Sequence, residues 1–324
     1  MNEKQHNFLR LGINPWGLLT AAGVVACVGT VFGFLGRFSW FLDLFSHFRV
    51  QYAIGLGVLG LLLLGGRRRR TAAGFLVFAC VNLALVLPLY FGGSSGKPDT
   101  APVLRAMLIN VNTRLGDPDR VREVISAADP DILVLEEISS RWMPELAWLT
   151  NSHPYSITQP REDNFGIGLF SKLPLAEGEV VIIGDAGVPS ILATVIAAHT
   201  NLRVIATHPL PPGGRDYSWW RNEQLNRLPD YARTHLPVLL LGDLNVTPWN
   251  YHFRRLLAQT ALRDSAKGFG VQPTWPNYTL LLRIPIDHCL HSEQITVVGR
   301  QVGEDVSSDH YPLIVDFVIR TDNP

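Results

Sequence analysis

Asp243 and Asn245 stand two positions apart, just after an apolar run at 238–241 and a glycine, Gly242. The run reads as a buried strand, and residues i and i+2 of an extended segment point the same way. A carboxylate and a carboxamide delivered side by side to a strand mouth are material for a site. An Asx-type turn joining strand to helix fits the same residues. Thr247 and Pro248 then read as N-cap and first helical position of the next helix, which would run to about residue 261. Polar groups recur at other strand ends. Asn110 and Asn112 close a strand at 103–111, Glu137 follows one at 132–135, and His208 follows one at 203–207. Asp287 and His288 sit in a strand at 283–291, and Ser308, Asp309 and His310 precede one at 311–319. Each has an ordinary structural explanation: Asn in turns, Asp as a cap, His in a core. Six such points in one domain are hard to dismiss as structure alone.

The elements that must position these groups alternate between strand and helix. Helices are expected at 117–128, capped by Asp117 ahead of Pro118, at 141–149 and at 217–234. Further strands are expected at 165–170, 180–183, 191–198 and 295–301. Many strands with helices interspersed imply sheets covered by helices, a mixed α/β sandwich.

Ahead of this domain the chemistry changes. Hydrophobic residues make up 47% of the 324-residue chain, and three long apolar runs account for much of that. Residues 16–36, 50–66 and 71–91 are expected to form about three transmembrane helices, with an aromatic interfacial segment at 37–49. Arg67–Arg70 form a basic hairpin that belongs on the cytoplasmic side. The third helix must then exit, which places everything after Gly92 on the far side. The expected location is the cytoplasmic (inner) membrane, multi-pass, with residues 103–324 facing the periplasm or exterior. A Gly/Ser/Pro-rich stretch at 92–102 reads as a linker. Residues 1–100 carry nine Lys/Arg against three Asp/Glu, and residues 101–324 nineteen against twenty-five. An acidic domain argues against a broad electrostatic grip on nucleic acid. Cys27, Cys80 and Cys289 have neither metal-ligand spacing nor an evident disulfide pairing.

The ordered set LINVN (108–112), PDILVLEE (130–137), FGIGLFSK (165–172), ATH (206–208), GDLN (242–245), IDH (286–288) and SDHYPL (308–313) resembles the endonuclease/exonuclease/phosphatase superfamily over about 101–320. Its membrane part resembles a bacterial membrane-anchored subgroup. The resemblance implies a four-layer α/β/β/α sandwich with the site at the mouth of the paired sheets. It implies Mg²⁺ (or Mn²⁺) held by Glu137, with Asp309 and Asn112 as further ligands. It implies that Asp243 orients or deprotonates water, that Asn245 and Asn110 bind substrate, and that His310, braced by Asp287, contacts the scissile phosphate. His208 matches the general acid of the deoxyribonuclease and sphingomyelinase branches. Asn112 departs from the acidic residue or His of many relatives and can offer only a neutral oxygen. The implied activity is hydrolysis of a phosphodiester, nucleic acid or lipid-linked, with the lipid bilayer as the other partner. A phosphomonoesterase or a non-catalytic membrane sensor are the alternatives. No protein partner can be inferred.

Overall fold

The structure, a computed structural model, describes residues 14–93, 102–197 and 200–320. Helix α1 (Pro15–Phe34) starts behind Asn14, whose side chain accepts from the Trp16 amide. A short α2 (Trp40–Leu44) leads through a 3-10 turn into α3 (Arg49–Gly65), and α4 (Arg69–Val86) packs back along it. Three helices are long and apolar enough to cross a membrane: Pro15–Phe34, Trp40–Gly65 and Arg69–Tyr90. Val25, Ile54, Leu61 and Val77 lie exposed on their outer faces, as a lipid-facing surface requires. The interior holds one polar cluster. Arg49 Nη1 donates to the Thr30 carbonyl (2.9 Å) and to Asn82 Oδ1 (3.2 Å), and Asn82 Nδ2 donates to Thr30 Oγ1 (2.8 Å). These groups satisfy one another where lipid offers no partner.

Residues 102–320 form two six-stranded sheets. The first comprises β1 (Leu104–Asn110), β2 (Ile132–Glu136), β3 (Tyr155–Gln159) and β4 (Ile167–Ser171), with β11 and β12 at its far edge, in the order β11-β12-β1-β2-β4-β3. The second runs β5-β6-β7-β8-β10-β9, from β5 (Leu175–Ile182), β6 (Pro189–Ala197), β7 (Thr200–Thr207), β8 (Val238–Asp243), β9 (Arg263–Asp264) and β10 (Asp287–His291). The edge pair of the first sheet is β11 (Ile295–Val302) and β12 (Leu313–Ile319). Period-two alternation stacks the layers. Ala106 and Leu108 of β1 face Leu239 and Leu241 of β8 between the sheets. Met107 and Ile109 turn the other way, onto Val121, Val124 and Ile125 of α5 (Pro118–Ala128). Leu240 packs on Leu225 and Leu228 of α8 (Arg215–Ala232) and on Phe253 and Leu256 of α9 (Tyr251–Gln259). This is the expected α/β/β/α sandwich behind an all-α region. Asp117 caps α5 as expected.

Several local expectations are corrected. The helix expected at 141–149 is two short pieces, α6 (Trp142–Glu145) and α7 (Leu149–Ser152). Asn250, not Thr247, caps α9, its side chain accepting from the His252 amide. The strand expected at 283–291 begins only at Asp287, because 284–286 crosses a cavity, with Ile284 bridged to Trp275. The linker expected at 92–102 lies mostly outside the described residues.

The two parts of the chain share a bonded interface. Asp43 and Arg221 form a buried ion pair at 2.6 Å. Asn250 Nδ2 donates to Asp43 Oδ1 (2.7 Å) and to Ser46 Oγ (3.1 Å). Trp249 Nε1 donates to the His47 carbonyl (3.2 Å), and the Gly268 and Gly270 amides donate to the Leu89 carbonyl.

Candidate active site

Each sheet is built around one parallel pair, β1 with β2 and β7 with β8. The carboxyl ends of both pairs meet at one edge, where open α/β sheets place their ligands. Glu137 follows β2, His208 follows β7 and Asp243 ends β8. The antiparallel neighbours begin at that same edge. Asp287, first in β10, lies opposite Asp243 in register, and His310 stands just ahead of β12. That is why polar residues recur at strand ends in the sequence.

Backbone conformation then aims the side chains. Glu137 has φ 60°, Asn112 φ 52° and Asn245 φ 53°, a left-handed region that costs a non-glycine residue roughly 1–2 kcal/mol. At Glu137 this ends β2 and turns the side chain into a cavity, while Glu136 points back between the sheets. Asp243 Oδ1 accepts from the Asn245 amide at 2.9 Å, so the Asx turn and the cavity-lining pair coexist. Asn245 is not extended, and the i, i+2 argument is not what brings its side chain beside Asp243. Gly242 is required by close approach: a Cβ there would strike the Thr207 carbonyl oxygen and crowd Glu136.

Two imidazoles share one carboxylate. His310 Nε2 lies 3.6 Å and His208 Nε2 3.5 Å from Asp243 Oδ2. His310 Nδ1 donates to Asp287 Oδ2 at 2.9 Å. Burial works against the His310 charge, but Asp287 and Asp243 outweigh it and hold the imidazolium up to about 10. Burial likewise opposes the His208 charge, and Glu136 with Asp243 carry it up to about 9. Burial disfavours an ionised Asp287, yet the His310 imidazolium holds its carboxyl below the usual range. Burial pushes Glu136 up to about 8, against the pull of His208.

Glu137, Asn112, His208, Asp243, Asn245, Asp309 and His310 all line a single cavity of about 650 Å³. Asn110 and Asp287 stand one layer behind it. Asn110 Nδ2 donates to Glu137 Oε1 (2.9 Å) and its Oδ1 accepts from the Asn112 amide (3.0 Å), which makes it a brace rather than a group in contact with a ligand. Asn112 also needs correction. Its Oδ1 accepts from the Arg114 and Leu115 amides, both at 3.1 Å, so its nitrogen faces Asp309 at 2.7 Å. With both oxygen lone pairs used, Asn112 is no oxygen ligand. His288 faces away, its Nε2 2.7 Å from the Val246 carbonyl.

A hard divalent cation fits what remains. The Glu137 carboxylate accepts from the Asn110 side-chain amide (2.9 Å) and the Thr113 backbone (3.3 Å), and among the described residues no basic side chain forms an ion pair with it. Asp309 supplies a second carboxylate on the same cavity. Asp243, Asp287 and His310 also offer ligand atoms within 4.8 Å of one another. That trio, however, already carries an internal imidazolium to neutralise it. Glu137 has no such partner among the described residues, and its free carboxylate suits a cation better than that trio does.

Several contributors escape a sequence reading. Glu136 accepts from the Asp243 amide at 3.0 Å, tying the sheets together across the core. The doublet Glu136-Glu137 was its only signal. Leu44, His47 and Phe48 of the membrane region also line the cavity, as do Phe165 and Trp275. Nothing local marks the first three, which reach the site from about 200 residues away.

The sequence matches the Endonuclease/Exonuclease/phosphatase family over residues 107–310, well over half of the chain. No curated protein gives a match. Similar solved structures include the 3′ phosphatase NExo from Neisseria bound to a product DNA hairpin, at 20% identity, covering 65% of this chain and 98% of that one, with TM-score 0.55. Sphingomyelinase C from Streptomyces griseocarneus is similar at 18% identity, covering 66% and 99%, with TM-score 0.51. The human Nocturnin catalytic domain with bound sulfate is similar at 19% identity, covering 68% and 96%, with TM-score 0.55. At such identities the likeness is one of fold. Fold, sequence match and the convergence of Glu137, Asp243 and His310 agree: the chain belongs to the endonuclease/exonuclease/phosphatase family of phosphoesterases.

Proposed function

We propose that this chain is a membrane-anchored, divalent-metal-dependent phosphodiesterase whose cavity faces away from the cytoplasm. The observation that carries the proposal is the meeting of Asp243, His208, His310 and Glu137 on one cavity. Glu137 and Asp309 would hold the Mg²⁺ or Mn²⁺, which supplies charge stabilisation to the phosphoryl group. Asp243 orients water and accepts its proton as the water oxygen bonds to phosphorus. The ester P–O bond then breaks. His208, charged at neutral pH and 3.5 Å from Asp243, gives its proton to the departing oxygen. His310 keeps its own proton, held by Asp287, and lends positive charge to the phosphoryl oxygens. Asn245 adds an amide donor.

Orientation has its own support. Asp43, Ser46 and His47, between α1 and α3, and Leu89, just past α4, bond to residues 221–270. The Arg67–Arg70 hairpin lies at the other end of α3, roughly 25 Å away at 1.5 Å per residue. A cytoplasmic hairpin therefore puts the site outside.

The test is hydrolysis by the full chain in detergent of bis(p-nitrophenyl) phosphate, p-nitrophenyl phosphate and an oligonucleotide, with Mg²⁺, Mn²⁺ or chelator. Glu137→Gln should lose at least a hundredfold in rate with an unchanged melting temperature. Hydrolysis that persists in chelator, or in the variant, rejects the assignment.

A further inference from the structure

We infer that the substrate is a lipid phosphoester, taken from the bilayer through a membrane-dipping loop at residues 278–282. The inference rests on the phosphoesterase reading above and names its substrate class. The loop reads Tyr-Thr-Leu-Leu-Leu, and Leu280, Leu281 and Leu282 are 76%, 81% and 53% exposed, with Tyr278 74% exposed. Four adjacent large apolar side chains in water are a liability; in lipid they are an anchor.

The loop is held rather than frayed. Its base is the Trp275–Ile284 bridge. Arg283 staples it, donating from Nε to the Pro276 carbonyl (3.0 Å) while its guanidinium stacks 4.6 Å from the Tyr311 ring centroid. Gln51, in the first turn of α3, donates to the Arg283 carbonyl at 3.1 Å. The leucines therefore stand beside a transmembrane span, at the level where that span begins.

The same loop base walls the catalytic cavity. Trp275, Ile284 and Ile286 line it, together with Leu44 and Phe48 of the membrane region. An acyl chain finds apolar walls there, and the phosphate finds the acid, base and metal ligands at the floor. Nucleic acid would need cationic groups along the path. Among the described residues lining this cavity there is no Lys or Arg. On the opposite flank Trp219 is 55% exposed, beside a cleft that also includes Arg37, Phe38 and Trp40 of the interfacial segment. It lies outward, where a headgroup-level aromatic belongs.

The experiment uses the full chain reconstituted in vesicles of phosphatidylethanolamine and phosphatidylglycerol. The triple variant Leu280→Ser, Leu281→Ser, Leu282→Ser should release phosphorylated headgroup from vesicle lipid at least tenfold more slowly than the parent. Its turnover of bis(p-nitrophenyl) phosphate in detergent should stay within twofold. Equal vesicle rates for parent and variant, or hydrolysis of oligonucleotide with vesicle lipid untouched, would overturn the inference. A second readout needs no catalysis. Leu281→Cys, in a chain with Cys27 and Cys80 replaced by alanine, is labelled with an environment-sensitive dye. Emission should shift to the blue and be quenched by doxyl lipids. An unquenched dye sinks the loop insertion whatever the activity. A quenched dye with no hydrolysis of any phosphoester rejects the phosphoesterase reading instead.

Discussion

His208 and His310 present Nε2 to the same oxygen of Asp243, and only His310 has a second carboxylate behind it. On the proposed function this asymmetry divides the labour: His310 would be a fixed charge, while His208 Nδ1 has no partner among the described residues and its proton is the freer one. A pH effect on stability follows. Folding raises the His310 pKa from 6.5 to about 10, so the folded chain binds a proton that the unfolded chain lacks between those values. The pair's stabilisation is complete below 6.5 and is lost as pH climbs through 10. In chelator, Asp287→Asn should therefore cost about 2–3 kcal/mol, the scale of a buried charge-assisted hydrogen bond, at pH 6.5. The gap in melting temperature should close toward pH 10; a gap that widens with pH contradicts the pairing. At this scale the sequence named the residues better than their duties. Asp243, His310 and Glu137 were legible because strand ends expose polar types. Asn110 read as a substrate-binding group and Asn112 as a metal ligand, because nothing in LINVN says that their oxygens accept from backbone amides two or three residues on.

Between elements, the contact that matters most is α2 against α8. Asp43 is 1% and Arg221 0% exposed, and Arg221 Nη1 donates onward to the Asn245 carbonyl at 3.1 Å. One ion pair thus connects the membrane loop to the backbone of an active-site residue. Asp43→Ala strands a buried guanidinium and should cost about 3–5 kcal/mol. Replacing both partners, Asp43→Leu with Arg221→Met, should recover most of that loss in thermal melts of the detergent-solubilised chain. A double variant no more stable than the single one would show that the pair is not the source. Helix α5, from the helical spacing of its apolar residues, and strand β8, from its unbroken apolar run, could be read in advance. Edge strand β3 escaped because exposure alternates poorly along it. The start of β10 was misplaced because apolar Ile284 and Ile286 serve a cavity rather than a ladder.

For the whole molecule, orientation hangs on four arginines. Replacing Arg67, Arg68, Arg69 and Arg70 by Glu should weaken the bias that holds the hairpin inside. A phosphatase reporter fused after Pro324, active only outside the cytoplasm, should then lose activity, and a parent fusion with no phosphatase activity would contradict the proposed placement. The layered architecture was legible from strand and helix order, since alternating apolar faces leave few ways to stack. The docking of the two parts was not, because its contacts join residues some 200 positions apart with no local pattern.

That docking alters what counts as the enzyme. The family match ends where homology ends, at residues 107 and 310, but Leu44, His47 and Phe48 complete the cavity from outside those limits. A fragment holding residues 102–320, with both sheets complete, would keep every acid, base and ligand and lose a wall. Its selectivity would be that of a differently shaped vessel, and a substrate profile measured on it would describe a protein the cell does not make.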